Sequence, residues 1–282
     1  MKLKGFTMHI QTFLVVIGFV ILATVPIHEC SAADTLDPSL AVRDTSGTIL
    51  WYDIRLLDVE GRGWNATADF YDRLPSKAAN IVRKPVWSLS RDSAGMCARF
   101  TTDAADIHAR WSLRSESLAM PHMPATGVSG LDLYVKTISG EWRWLANGRP
   151  TGYPTNTVSL VQGLPDGRRD YILYLPLYNG VTSVEIGIPE GAPLSKAGPW
   201  GSGERKQVVF YGTSITQGGC VSRPGMVHTA IIGRRLNYPV INLGDGSEGA
   251  VDGSHPNDLG FMRQAEAFLR VLAPILEKGS AR

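Results

Sequence analysis

The stretch Gln207-Val208-Val209-Phe210-Tyr211-Gly212-Thr213-Ser214-Ile215-Thr216-Gln217-Gly218-Gly219 sets the architecture of the chain. Val208 to Tyr211 form a continuous β-branched and aromatic run, the pattern of a buried parallel strand, and they lead straight into Gly212-Thr213-Ser214. A glycine at that point lets the backbone turn, and the carboxyl end of such a strand is where open α/β sheets place their ligands. Ser214 is therefore a candidate nucleophile. Downstream, Asp252-Gly253-Ser254-His255-Pro256 supplies a carboxylate and an imidazole three positions apart, held in a loop by glycine and proline. Ser214, Asp252 and His255 are together the parts of an acyl-transfer triad: an alcohol, an imidazole to take its proton, and a carboxylate to orient the imidazole.

The flanking segments supply the rest of an α/β unit. Gly225 to Leu236 places Val227, Ala230 and Ile231 at helical spacing, with Arg234 and Arg235 near the end, where cations suit the helix dipole. Val240-Ile241-Asn242-Leu243-Gly244 is a second strand ending in an N-x-G turn, so residues 208–244 form strand, helix, strand. Met262, Ala265, Leu269, Leu272 and Leu276 mark an amphipathic last helix, expected to bend or end near Pro274.

Upstream the period changes from helical to alternating. Met96, Ala98 and Phe100 point one way while Cys97, Arg99 and Thr101 point the other. The same alternation recurs in Ile107, Ala109, Trp111 and Leu113, in Leu131, Leu133 and Val135, and in Val184, Ile186 and Ile188. These patterns predict half-buried antiparallel strands, and turns such as Pro165-Asp166-Gly167 between them point to a sandwich or jelly roll over residues 44–197. All seven tryptophans lie before Gly201, and Gly198-Pro199-Trp200-Gly201-Ser202-Gly203 reads as the tract that joins the two parts. The segment Glu141-Trp142-Arg143-Trp144 is open to two readings. Trp142 and Trp144 either offer aromatic faces to a sugar or fill a core.

At the amino terminus Lys2 and Lys4 precede an apolar run from Phe13 to Val25, then Pro26 and Ser31-Ala32-Ala33, the layout of a secretory signal peptide cleaved after Ala33. The run falls short of the roughly 20 apolar residues that span a bilayer. The expected division is a signal peptide over 1–33, a β-sandwich domain with its connecting tract over 34–200, and an α/β domain over 201–282. Export to the periplasm or the medium follows from the leader, with no membrane association after cleavage. A net charge of +2, with the basic residues scattered, points away from a nucleic-acid partner. No Cys/His cluster has metal-ligand spacing and no cofactor is expected. Cys97 and Cys220, which remain once the leader takes Cys30, are expected to be buried thiols rather than a bridge between the two parts.

These motifs resemble those of the SGNH (GDSL-type) hydrolases, in which a serine follows strand one, an N-x-G turn ends strand two and a D-x-x-H-P loop precedes the last helix. Gly130-Leu131-Asp132-Leu133-Tyr134 is similar to the G-x-D-L-Y segment of the β-sandwich that precedes the hydrolase domain in one subgroup. The resemblance implies a fold of mixed class, α/β plus all-β: a jelly-roll-like sandwich followed by a flavodoxin-like α/β domain. It also implies a serine esterase acting on small acyl groups, such as acetyl esters of carbohydrate. The oxyanion would be received by the Ser214 N–H and by a glycine beyond the second turn, for which Gly246 and Gly249 are the candidates. The chain departs from the family in three places. Thr213 stands where the family name implies aspartate, only Asp245 to Val251 separate Gly244 from Asp252 where relatives have further strands and helices, and no counterpart of the third-motif asparagine is present. A shortened domain leaves a second reading open, a carbohydrate-binding sandwich attached to a hydrolase domain that no longer turns over.

Overall fold

A computed structural model describes residues 35–201, 205–244 and 256–279. The expected signal peptide lies outside them. Two five-stranded antiparallel sheets dominate. The first is built from β1 (Val42–Arg43), β2 (Ile49–Asp53), β4 (Ile107–Leu113), β7 (Thr155–Val161) and β9 (Val181–Pro189), in the order β1-β2-β9-β4-β7. The second contains β3 (Cys97–Thr102), β5 (Leu131–Lys136), β6 (Trp142–Gly148), β8 (Arg169–Tyr174) and β10 (Leu194–Lys196), in the order β10-β3-β8-β5-β6. Short helices α1 (Lys84–Leu89) and α2 (Ala125–Val128) lie in the connections.

The alternating residues of the sequence face one another across the sandwich. Ala109, Trp111, Val184, Ile186 and Ile188 from the first sheet meet Ala98, Phe100, Leu131, Leu133, Tyr171 and Leu173 from the second in one buried core. Phe100 stacks on Tyr171 with ring centroids 5.1 Å apart, and the Trp111 indole N–H donates to the Ser129 carbonyl at 3.0 Å, so its polar atom stays satisfied at depth.

Half-burial holds for β4, where Ile107, Ala109, Trp111 and Leu113 are buried and the residues between them are not, but the second sheet corrects it. Five of the six residues of β3 are buried, and Asp132, Tyr134, Ile172 and Tyr174, which face away from the sandwich core, are buried too. The cause is a second layer. Cys97, Tyr134, Ile172 and Tyr174 form a separate apolar cluster with Trp200 and with Ala230 of the following segment. Trp200, in the tract expected to join the two parts, is pinned there: its indole N–H donates to Glu60 at 2.5 Å and Arg99 lies 4.3 Å over its ring.

That segment contains β11 (Val208–Gly212), α3 (Ser214–Gln217), α4 (His228–Leu236) and β12 (Val240–Gly244). β11 and β12 pair in parallel, Val208 opposite Val240 through Gly212 opposite Gly244, as the βαβ reading predicts. The strand is not buried as its apolar run predicts: with only one helix layer packed on the two-stranded sheet among the described residues, β11 turns Phe210 toward His228 and Phe268 and leaves Val209 and Tyr211 exposed. The last helix, α5 (Asp258–Gly279), packs Ala265, Leu269 and Leu272 against Ile231 and Ile232 of α4. It runs through Pro274 instead of ending there. Pro274 is on the exposed side, where water can meet the carbonyl that the missing N–H leaves free, while the buried face holds the helix together. Sandwich and carboxyl-terminal segment fall in one compact unit.

Candidate active site

Ser214 stands at the first position of α3, immediately after β11, and is 8% exposed. Its carbonyl accepts from the Gly218 and Gly219 N–H groups, each at 2.9 Å, and from the Tyr178 hydroxyl at 3.1 Å. Three donors on one carbonyl fix the turn that carries the hydroxyl. Burial pushes the Tyr178 phenol far up, so it keeps the proton it donates.

The end of β12 completes the platform. Asn242, fully buried, donates to the Thr216 carbonyl at 2.5 Å and to Thr229 Oγ1 at 3.2 Å, and its Oδ1 accepts the Gly244 N–H at 2.9 Å. This asparagine of the N-x-G turn thus ties the second strand to the serine turn. Gly244 is required by close approach: a Cβ there would lie 2.6 Å from the Thr216 carbonyl carbon and 2.7 Å from Gln217 Cα.

Gln217 and three residues invisible to motif reading, Arg73, Asp92 and Tyr178, buttress the same turn. Gln217 donates to the Leu177 carbonyl at 2.9 Å and to Asp92 Oδ2 at 3.3 Å. Arg73, buried, spends its guanidinium on backbone carbonyls, donating to Asp92 at 3.0 Å, to Leu89 at 2.7 Å and to Gly244. Burial lifts the Asp92 carboxyl to about 7, against the opposing pull of Arg73 and of the Gly180 N–H. Arg73, Asp92 and Tyr178 all come from the sandwich, so that domain forms part of the wall behind Ser214. Only Gln217, which lies in the decisive stretch itself, carried a local signal, as a polar residue after a short turn.

Asp252 and His255, with the oxyanion candidates Gly246 and Gly249, lie outside the described residues. The chain is described again from Pro256, and Asp258 at the start of α5 accepts from the Ser222 N–H at 2.9 Å and from its hydroxyl at 2.5 Å. Trp142 and Trp144 sit on β6, away from the sandwich core. Trp142 packs near Trp200 with centroids 6.5 Å apart, and Trp144, about half exposed, donates to Asp132 at 2.8 Å. Cys97 is buried, as expected, whereas Cys220 is only half-buried, and no disulfide joins the two.

The G-x-D-L-Y segment now has a physical reading. Leu131 and Leu133 point into the core, whereas Asp132 and Tyr134 point out to the carboxyl-terminal segment. Asp132 accepts the Gly225 N–H at 2.8 Å and faces Arg223 at 3.4 Å, and Arg234 lies 3.9 Å over the Tyr134 ring. The family model for the G-x-D-L-Y amino-terminal domain of SGNH-hydrolase-type esterases matches residues 49–194, just over half of the chain. The chain belongs to this family. A second model, of GDSL-like lipases and acylhydrolases, matches residues 205–249.

Among solved structures, a protein assigned as a GDSL-like lipase from Bacteroides ovatus ATCC 8483 aligns at 31% identity and a TM-score of 0.65, over 70% of this chain and 57% of that one. A salicylyl-acyltransferase from a tetracycline biosynthetic pathway aligns at 19% identity and a TM-score of 0.49, over 73% of this chain and 54% of that one. A family two carbohydrate esterase from Clostridium thermocellum, in complex with cellohexaose, aligns at 15% identity and a TM-score of 0.35, over 54% and 45%. The chain spans little more than half the length of the first two structures. No curated protein matches the sequence.

Proposed function

We propose that the protein is an exported serine esterase that removes small, acetyl-like acyl groups from a carbohydrate. The observation that carries this reading is Ser214 itself: a serine after a parallel strand, its turn held by Asn242, Tyr178 and Gln217, in a chain of the SGNH family. His255 takes the Ser214 proton as Oγ attacks the ester carbonyl, and Asp252 orients the imidazole and stabilises its charged form. The Ser214 N–H and that of Gly246 or Gly249 receive the oxyanion. The protonated imidazole then releases the alcohol, and water, deprotonated by the same imidazole, frees the acid and the serine. Hydrolysis of an aryl acetate by the purified chain tests the proposal, with loss on Ser214→Ala expected. Turnover that survives Ser214→Ala overturns it.

The internal brevity between Gly244 and Asp252 favours one competing reading, a carbohydrate-binding protein with a vestigial hydrolase domain. No hydrolysis of the aryl acetate, together with retained glycan binding, would support it. Export rests on the leader, and the intact mass of the exported product checks it: a chain beginning near Asp34 is expected, and one still beginning at Met1 contradicts it.

A further inference from the structure

A cavity of about 600 Å³ opens between β6 and the carboxyl-terminal segment, within the size range of ligand pockets. Four arginines line it, Arg143, Arg223, Arg234 and Arg235, against one glutamate, Glu141. Arg143 already takes the Glu141 carboxylate, at 2.6 Å. Of the other three, Arg223 and Arg235 are only loosely paired, while Arg234 is held over the Tyr134 ring at 3.9 Å. Arg234 forms no ion pair among the described residues; one of its amino groups donates to the Gly225 carbonyl at 2.7 Å, while the other is buried without a hydrogen-bond partner. Arg223 faces Asp132 at 3.4 Å, but that carboxylate already serves the Gly225 N–H and the Trp144 indole, and burial lifts it to about 7. Arg235 lies 3.8 Å from Glu266, and both are about half exposed. Trp142 and Trp144 supply one wall, with Arg223 stacked 4.9 Å from the Trp144 ring, and Tyr134, Met226, Ile231 and Met262 complete the lining.

An indole wall offers a flat apolar face, and guanidinium groups pair a carboxylate with charge-assisted hydrogen bonds. A pyranose bearing a carboxylate presents both features on one ring. We propose that this cavity binds an acidic sugar unit, its ring against the Trp142–Trp144 wall and its carboxylate at Arg223 and Arg235. The site extends the carbohydrate reading above to uronate-containing chains, and it does not require turnover at Ser214.

Binding is therefore measured on the full chain carrying Ser214→Ala, by titration calorimetry with trigalacturonate and with cellotriose as its neutral counterpart. Saturable binding of trigalacturonate is expected, weakened by added salt and at least about tenfold tighter than that of cellotriose. Trp144→Ala and Arg223→Gln should each weaken it by about tenfold or more. Arg235→Gln, at an exposed position that leaves the fold intact, should weaken it several-fold. Equal affinity for cellotriose, no effect from any of the three substitutions, or competition by inorganic phosphate at matching concentration would overturn the proposal. An aryl-acetate assay on the unsubstituted chain reports separately on the esterase reading, so failure of one leaves the other standing.

Discussion

Gly244→Ala tests the contact between the two halves of the proposed active site. The added methyl would sit 2.6 Å from the Thr216 carbonyl carbon and 2.7 Å from Gln217 Cα, both backbone atoms of the serine turn, which cannot rotate away as a side chain can. Carbon atoms rest at about 3.5–4.0 Å, so the end of β12 and α3 must part by about 1 Å. Asn242 and Arg73 hydrogen-bond Gly244 and so resist that movement. Overpacking of this kind costs about 1–3 kcal/mol, and a displacement of about 1 Å in a catalytic group costs about 10²-fold in rate. Urea unfolding should therefore show a loss of about 1–3 kcal/mol, and aryl-acetate hydrolysis should fall by about 10²-fold with KM little changed. Unchanged stability with activity within twofold of the parent would refute the packing described for Gly244 and Gln217.

Other substitutions probe the docking of the carboxyl-terminal segment. Asp132→Ala strips an acceptor from the Gly225 N–H and the Trp144 indole and leaves Arg223 without its carboxylate, so unfolding should cost about 3–5 kcal/mol less, with Asp132→Asn milder; a change below about 1 kcal/mol in denaturant titrations would contradict this role. His228, sandwiched between Phe261 and Phe268 at centroid distances of 5.7 and 5.6 Å, is held at about 4 by burial, below its ordinary 6.5. The unfolded chain therefore binds a proton that the folded chain refuses. The resulting stability is present above pH 6.5 and is lost as the pH falls toward about 4, by up to about 3 kcal/mol. His228→Phe should flatten this acid limb in thermal melts at pH 4 to 7, and an unchanged limb would remove His228 as its source.

The sandwich core was legible because β4, β5 and β9 alternate cleanly, and the βαβ unit because Val208–Tyr211 and Val240–Leu243 each run into a turn glycine. What local pattern could not show is that the outer face of the second sheet is also buried. Cys97, Asp132 and Tyr174 are of the polar, aromatic and small types that suit a solvated face, and it is the docking of Trp200 and Ala230 over Cys97 and Tyr174, and of Arg223 and Gly225 on Asp132, that covers them. Arg73, Asp92 and Tyr178 were hidden for a related reason. Each lies in a sandwich connection, and its partner at the serine turn or β12 is distant in sequence, so no spacing rule links them. Of the two outcomes expected at Pro274, a bend or an end, the helix does not take the second, because the packing of Ala265, Leu269 and Leu272 against α4 carries it past the proline.

The central claim is that Ser214 is an activated nucleophile. A fluorophosphonate reacts covalently with a serine only where a neighbouring base draws off the proton and an oxyanion site receives the charge. The deciding measurement is intact-mass and peptide-level mass spectrometry of the purified chain after exposure to such a probe. A single adduct on the peptide containing Ser214 is expected, absent from Ser214→Ala and strongly reduced in His255→Ala. A chain that stays unlabelled while a positive-control esterase reacts fully, or one labelled equally well without His255, would contradict it.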